Sequence, residues 1–493
     1  MRGDASPDHE EAAIKPLARC LTGLLLGSLL WSLALTLIFA PGLSSNDSAQ
    51  RAWMMTSVVE AGKPSTYTTP RLVFEHVFPP MMTLVGATLR EVWGGWALHT
   101  FLQAFWLFGS FGVVATLLLG PRRGILLWLV FCAVPIVWNH AVAMLPDATV
   151  TAALLTMFCV LLWPAQPHRR FLLLRCTILF FCGAFAFGYR FNTLTALLLG
   201  LLPFTTTWSR RGVACAAAAL VLSAGVGPLL QKLVPYRDSD VVSPMLAWEH
   251  VGTLRLTGDA DERARHSLDA ILGKEGETAR AVSVHTWDSM VPTCFTPDAP
   301  LPAGLLRQPH VGAQVRAAFI ALLRDKPVLY ARSKLRVWKM VMGVGNPPGL
   351  YWIGTTPPAW IKDRGIDLSP TAPTPLAGLR VPLSDWGERM TARTRTLWTP
   401  WLWCLLTTAL GATCLLARRR ISASAQAAAL SRHASLLWLT GLSYFGAFLI
   451  ISGSHEWRYY FPAFALHVLS AAVWLVALIS VLRATPTDRR TAS

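Results

Sequence analysis

The stretch 21-LTGLLLGSLLWSLALTLIFAPGLSSNDSAQ-50 sets an uncharged apolar run, Leu21–Ala40, directly against a polar segment that carries a carboxylate, Asp47. A helix rises about 1.5 Å per residue and a bilayer core is about 30 Å thick, so a run of this length crosses once. The segment before it, MRGDASPDHEEAAIKPLARC, is long and mixed in charge rather than short and basic, and Pro41 follows directly. This predicts a retained first helix rather than a cleaved signal. A charge at a membrane boundary is costly to dehydrate, so Asp47 demands a reason.

The same pattern recurs along the chain. Of 493 residues, 53% are hydrophobic and only 14% charged, with 21 Trp and a mean hydropathy of +0.44. Soluble domains carry about 25% charged residues. Further apolar runs lie at Trp96–Gly120, Phe171–Gly188, Gly212–Leu230, Leu397–Leu416, Ser435–Ile451 and Phe461–Leu482, with shorter or interrupted ones at Ile125–Ala143, Ala148–Trp163 and Thr193–Thr207. The expectation is an all-α polytopic membrane protein with about ten transmembrane helices. Eight of nine cysteines lie in or beside the apolar runs and only Cys294 falls in the large loop, so no disulfide framework is drawn.

A net charge of +17 and a pI near 10.0 would suit nucleic acid, but the distribution argues against that partner. Basic residues cluster in short loops: Arg122–Arg123, Arg169–Arg170, Arg210–Arg211, Arg418–Arg420, and Arg483, Arg489 and Arg490 near the C-terminus. That is the positive-inside pattern, and it places both termini in the cytoplasm. The expected division is a cytoplasmic tail 1–20, a membrane module 21–232 with a first outer loop 41–95, an outer loop domain 233–396, C-terminal helices 397–482 and a tail 483–493. The first outer loop must return inside by Arg122, so Phe78–Trp93 reads as an interfacial helix. Within 233–396, 20 basic and 16 acidic residues make a polar domain rich in Pro and Gly. There, Gln314–Met342 interleaves basic with apolar residues and reads as an amphipathic helix pair on the outer membrane surface.

Outside that domain and the N-terminal tail only seven acidic residues remain: Asp47, Glu60, Glu75, Glu91, Asp147, Glu456 and Asp488. All but Asp488 fall on the outer side of this topology. The same level gathers His76, Arg190 and Asn192 in 189-YRFN-192, and His455, Glu456, Arg458 and Tyr459 in 454-SHEWRYYFP-462. A carboxylate at a membrane surface suits a general base. An arginine there suits a phosphate, because its fork binds two oxygens and stays charged. Together they suit transfer from a lipid phosphate to a hydroxyl. No Walker loop, GxGxxG after a strand, HExxH, GxSxG or Cys–His metal spacing occurs.

Each residue also has a plainer role. Asp47 suits a helix cap before Ala49–Val59, and Asp147, after Pro146, suits a cap of its own span. Arg190 and Arg458 suit snorkelling anchors, and Trp457, Tyr459 and Tyr460 an interfacial belt. His99 and His140 read as hydrogen-bonded core groups within spans.

The constellation resembles the GT-C superfamily of membrane glycosyltransferases, whose relatives include protein O-mannosyltransferases and lipid A aminoarabinose transferases. The resemblance rests on Asp47 soon after the first helix, Asp147 in 145-LPDATV-150 opening a later span, and 458-RYYFP-462 near the last spans. A histidine–proline step at His76–Pro80 and an R-x-N step at Arg190–Asn192 are similar to those of some bacterial members. The resemblance implies a multi-pass protein of the bacterial inner membrane that moves a sugar from a polyprenyl-phosphate donor to a glycan, lipid or protein acceptor at the periplasmic face. It implies Asp47 and Asp147 as catalytic residues, and Arg190 and Arg458 as phosphate ligands. His76, Asn192, His455, Glu456 and Tyr459 are further site candidates. Many members carry paired acidic residues where this chain has Asn46–Asp47, so a divalent metal stays open as a cofactor. The alternatives are a polysaccharide polymerase or ligase acting on a diphosphate-linked glycan, and a non-catalytic envelope-assembly or transport protein. No convincing internal repeat favours a transporter.

Overall fold

The computed structural model describes residues 7–40, 42–43, 74–75, 80–93, 96–162, 169–190, 193–200, 209–233, 236–237, 240, 242–287, 289–296, 298–345, 352–356, 374–451 and 457–483. Helix dominates. Two strands of two residues, β1 (Phe74–Glu75) and β2 (Tyr236–Arg237), pair in parallel, Phe74 opposite Tyr236 and Glu75 opposite Arg237.

The membrane module is built from α1 (Pro7–Phe39), α2 (Pro80–Trp93), α3 (Ala97–Leu119), α4 (Pro121–Ala133), α5 (Pro135–Ala141), α6 (Pro146–Leu162), α7 (Arg169–Tyr189), α8 (Thr193–Gly200) and α9 (Arg210–Leu233). The loop domain contributes α10 (Ser243–Leu254), α11 (Glu277–Val284), α12 (Pro309–Asp325), α13 (Pro327–Val341) and α14 (Arg380–Arg393). The chain then returns through α15 (Pro400–Leu416), α16 (Ala425–Ile451) and α17 (Phe461–Arg483).

Among the described residues, five helices are long and apolar enough to cross a membrane: Pro16–Phe39 of α1, α3, Arg170–Tyr189 of α7, Arg210–Leu230 of α9, and α17. Counting the bent pair α4–α5 as one span makes six. The chain is therefore an all-α, multi-pass type of membrane protein, with fewer spans by this measure than the ten expected. Proline accounts for part of the difference. Val134, which precedes Pro135, is pushed out of the helical region to φ −70° and ψ 118°, and the two helices bend by 75° there. The run Ile125–Ala143 is thus not one rod. The runs at 148–163 and 397–416 become helices of 17 residues, short of the roughly 20 a span needs. Only Thr193–Gly200 of the run 193–207 is described as helix. The last of these runs, Ser435–Ile451, lies in the 27-residue α16, whose earlier turns carry Arg432 and His433.

Packing places α3 and α6 innermost. α3 touches α1, α4 and α6, while α6 touches α7 and α17 and is buried along nearly its whole length. A helix apolar all round belongs in such a position. Small residues permit the closest approach: a Cβ on Gly124 of α4 would lie 2.4 Å from the Cα of Thr116 of α3. α2, expected at the interface, packs against α3, α7 and α9. It is too short to cross.

The loop domain has a core of its own. α10 is buried, with Trp248 fully covered, and packs on α11, α12 and α13. Its Glu249 accepts a hydrogen bond from Tyr330 Oη at 2.9 Å and pairs with Lys334. The expected amphipathic pair exists as α12 and α13, broken at Lys326–Pro327. Its buried stripe (Val315, Phe319, Leu322, Val337) faces this core.

Three clasps join the domain to one end of the bundle. Asn139 of α5 donates to the Ile353 carbonyl at 2.9 Å and accepts from its amide at 3.0 Å. Arg380 donates to the carbonyls of Ala40 (3.0 Å), Gly42 (3.4 Å) and Thr355 (3.3 Å). Gly387 of α14 lies against Trp138 and Trp352, where a Cβ would come within 2.9 Å of both rings.

Candidate functional site

At that end the chain leaving α1 turns at Gly42, whose φ of +132° suits only glycine. Leu43 then pairs with the segment after α5: its amide donates to Val142 O at 3.1 Å, and Met144 N donates to Leu43 O at 3.0 Å. Gln103 of α3 fixes the same segment from beneath. Its amide donates to Ala141 O (3.0 Å) and Ala143 O (2.7 Å) and accepts from Thr149 at 3.0 Å. One side chain thus bonds three buried polar groups. The corner is rigid, and Asp147 stands on it.

Asp147 lies in the first turn of α6 and is 1% exposed. Its carboxylate meets Arg190, which follows α7: Nη2 donates to Oδ1 at 2.9 Å and to Oδ2 at 3.0 Å. Arg190 continues the helix by donating its amide to Ala186 O, and its own carbonyl accepts from the Thr193 amide and hydroxyl. Burial works against the charge on Arg190, but the fields of Asp147, Tyr444 and Tyr459 together outweigh it and hold the guanidinium pKa above its ordinary value. The cation is permanent.

Tyr459 completes the cluster. The guanidinium of Arg190 sits 5.1 Å from its ring centroid and that of Arg458 sits 4.9 Å away. Arg458 Nη2 also donates to the Tyr459 hydroxyl at 3.1 Å. Phe448 of α16 stacks on the Tyr459 ring at 4.6 Å, and Tyr444, fully buried, adds to the field on Arg190. Cation–π contact with the Tyr459 ring helps fix both guanidinium planes. Arg458, 2% exposed, is not a snorkelling anchor.

Three stretches distant in sequence therefore converge through Asp147, Arg190 and the Arg458–Tyr459 pair. Asp47, His76, Asn192, His455 and Glu456 lie outside the described residues. Glu75 is placed in β1, beside Arg237. Trp457 and Tyr460 are buried in the bundle end instead of forming an outer belt. Trp457 packs on His140 at 4.8 Å, and Tyr460 hydrogen-bonds His467 at 2.8 Å. The interior of this end is aromatic, so it absorbs these rings. The sequence reading missed Gln103, Arg380, Tyr444 and Phe448. Gln103 carried a signal, as an amide inside an apolar run. Arg380 carried none among so many loop-domain basic residues.

Among the described residues, no group of three or more His, Cys, Asp or Glu side chains converges as a metal would require. Asp147, the carboxylate present, has both oxygens engaged by Arg190. This set does not fit a divalent ion. Compared with protein-family models, with curated proteins and with solved structures, the chain matches none.

Proposed function

We propose that this chain is a glycosyltransferase of the GT-C type, moving a sugar from a polyprenyl-phosphate donor to a glycan, lipid or protein hydroxyl at the outer face of a bacterial inner membrane. The observation that carries the reading is the meeting of Arg190, Arg458 and Asp147 around Tyr459, buried at the end of the bundle where the chain leaves α1. Buried guanidiniums with fixed planes suit the charge that develops on a leaving phosphate. The finer topology belongs to the same proposal: about ten membrane segments, both termini cytoplasmic and 233–396 outside.

In the proposed reaction the acceptor oxygen attacks the anomeric carbon of the donor and a new C–O bond forms. The bond from that carbon to the phosphate oxygen breaks, and its electron pair leaves with the polyprenyl phosphate. Arg190 and Arg458 hold that phosphate. The acceptor's proton passes to Asp47, assigned here as the general base. Asp147 takes a different part from the one its sequence position suggested. Both its oxygens accept from the Arg190 guanidinium, so in this proposal Asp147 positions Arg190. Asp47 follows four residues after Leu43, which pairs with the segment leading into Asp147.

Transfer of a radiolabelled sugar from a polyprenyl-phosphate donor by the purified protein tests this. Asp47→Asn keeps capping ability and should lose about 100-fold or more in rate, the usual scale for a lost general base. Arg458→Ala should weaken donor binding or turnover by about 2–5 kcal/mol, with Lys restoring only part. Full activity in both variants would refute the assignment.

A further inference from the structure

Away from the bundle end, the loop domain contains a cleft of about 530 Å³ between the end of α10 and the last turns of α13. Its walls carry Arg255, Arg336 and Lys339, with Trp287, Met340 and Gly345 between them. Both guanidiniums rest on the indole of Trp287, Arg255 at 4.9 Å and Arg336 at 4.6 Å from the ring centroid. The indole is itself held, donating from Nε1 to Ser333 Oγ at 3.3 Å, with His285 edge-on at 5.4 Å.

Five basic side chains of the domain pair with carboxylates: Lys274 and Arg280 on Glu277, Arg316 on Asp240, Lys326 on Glu262 and Lys334 on Glu249. Among the described residues neither Arg255, Arg336 nor Lys339 does so, and the cleft lining contains no acidic residue. Holding like charges together without a counter-charge is unfavourable, and such a concave basic wall focuses field on an incoming anion. The stacked guanidiniums use their faces on Trp287, which leaves their N–H edges for oxygen atoms. The volume suits a phosphate with a sugar-sized body attached.

We infer that this cleft is an oxyanion-binding site, separate from the Asp147–Arg190 cluster, that takes a phosphate group borne by a sugar or by a lipid headgroup. It does not depend on the glycosyltransferase reading. The wall that ends at Gly345 is tied to the foot of α15 by the Trp401 amide, which donates to Met342 O at 3.1 Å. A ligand held here is therefore presented close to the mouth of the membrane helices.

Calorimetric titration of the purified full-length protein in neutral detergent tests the site, with glucose 6-phosphate as probe and glucose as its neutral control. The expected result is saturable binding of glucose 6-phosphate alone, weakened at least ten-fold by Arg255→Ala with Arg336→Ala and about three-fold by Lys339→Gln. If the double variant fails to fold, Lys339→Gln and Arg336→Gln singly carry the test. In nanodiscs, displacement of the probe by phosphatidylglycerol but not phosphatidylcholine assigns the phosphate to a headgroup. Displacement by neither assigns it to a soluble sugar. Equal binding of glucose and glucose 6-phosphate, or unchanged affinity in the variants, overturns the inference. Asp288 follows Trp287 in the chain and lies outside the described residues. Binding that emerges only in Asp288→Asn would make Asp288 the cleft's own counter-ion and likewise overturn it.

Discussion

Removing the carboxylate of Asp147 tests whether the cluster at the bundle end is a linked unit. The side chain is 1% exposed and Arg190 14% exposed, so Asp147→Ala leaves a guanidinium in a nearly dry site without its two acceptors. Breaking a buried pair from one side costs about 3–5 kcal/mol, most of it from the abandoned charge. Asp147→Asn keeps one acceptor oxygen and should cost less, about 1.5–3 kcal/mol, the worth of a hydrogen bond to a charged group. Arg190→Ala removes the cation and leaves the carboxylate buried. The double variant, lacking both charges, should be less damaged than the sum of the single variants. A coupling of about 1–3 kcal/mol is the expected scale for residues in direct contact. The measurement is unfolding of each purified variant in mixed micelles by denaturant or heat, with helix content as the readout. Strictly additive losses would refute the pairing. So would an Asp147→Ala protein as stable as the parent.

Three further outcomes follow from individual residues. His250 is buried in α10 with its Nε2 at 2.8 Å from His266 O, and burial lowers its pKa from 6.5 to about 4. The unfolded chain takes up a proton below about pH 6.5 that the folded domain refuses. Stability should therefore fall by about 3 kcal/mol between pH 6.5 and 4, and melting curves of a His250→Gln variant should lose that slope. Gly124→Ala should open the α3–α4 crossing, because its Cβ would fall 2.4 Å from backbone. Overpacking of this kind costs about 1–3 kcal/mol, and an unchanged melting temperature would show that the crossing is looser. Reporter fusions at Pro300 should be active only in an export-dependent format if the loop domain is outside, and cytoplasmic activity would reverse the orientation.

The site was half legible in advance. Asp147, Arg190 and Arg458 could be singled out because a charge at a span end has few cheap explanations in an apolar chain. That Asp147 meets Arg190 could not be read, since 43 residues separate them and only the packing of α6 on α7 sets their distance. The resemblance that implies a catalytic role for Asp147 says nothing of its partner. The fold behaved similarly. Leu21–Ala40 and Phe461–Leu482 announced helices through sheer length without charge. The break at Pro135 was written in the sequence too, where Ile125–Ala143 reads among the shorter or interrupted runs, but its 75° bend was not. Hydropathy averages over a proline, whereas the backbone does not. Gln103 marks the other limit: an amide in a span shows that some partner exists, but not which carbonyls accept from it.

The clasp made by Arg380 has a consequence for how the protein is made. Its acceptors, Ala40 and Gly42, emerge about 340 residues earlier in synthesis, and Asn139 precedes Ile353 by 214. At roughly 5–20 residues per second, those carbonyls wait on the order of tens of seconds for their partners. During that interval the first helices are already synthesised while the mouth of the bundle has no lid above it. Closure of the mouth is thus a late event, timed by translation, and a nascent chain stalled before Arg380 would display an unlatched end to chaperones and proteases.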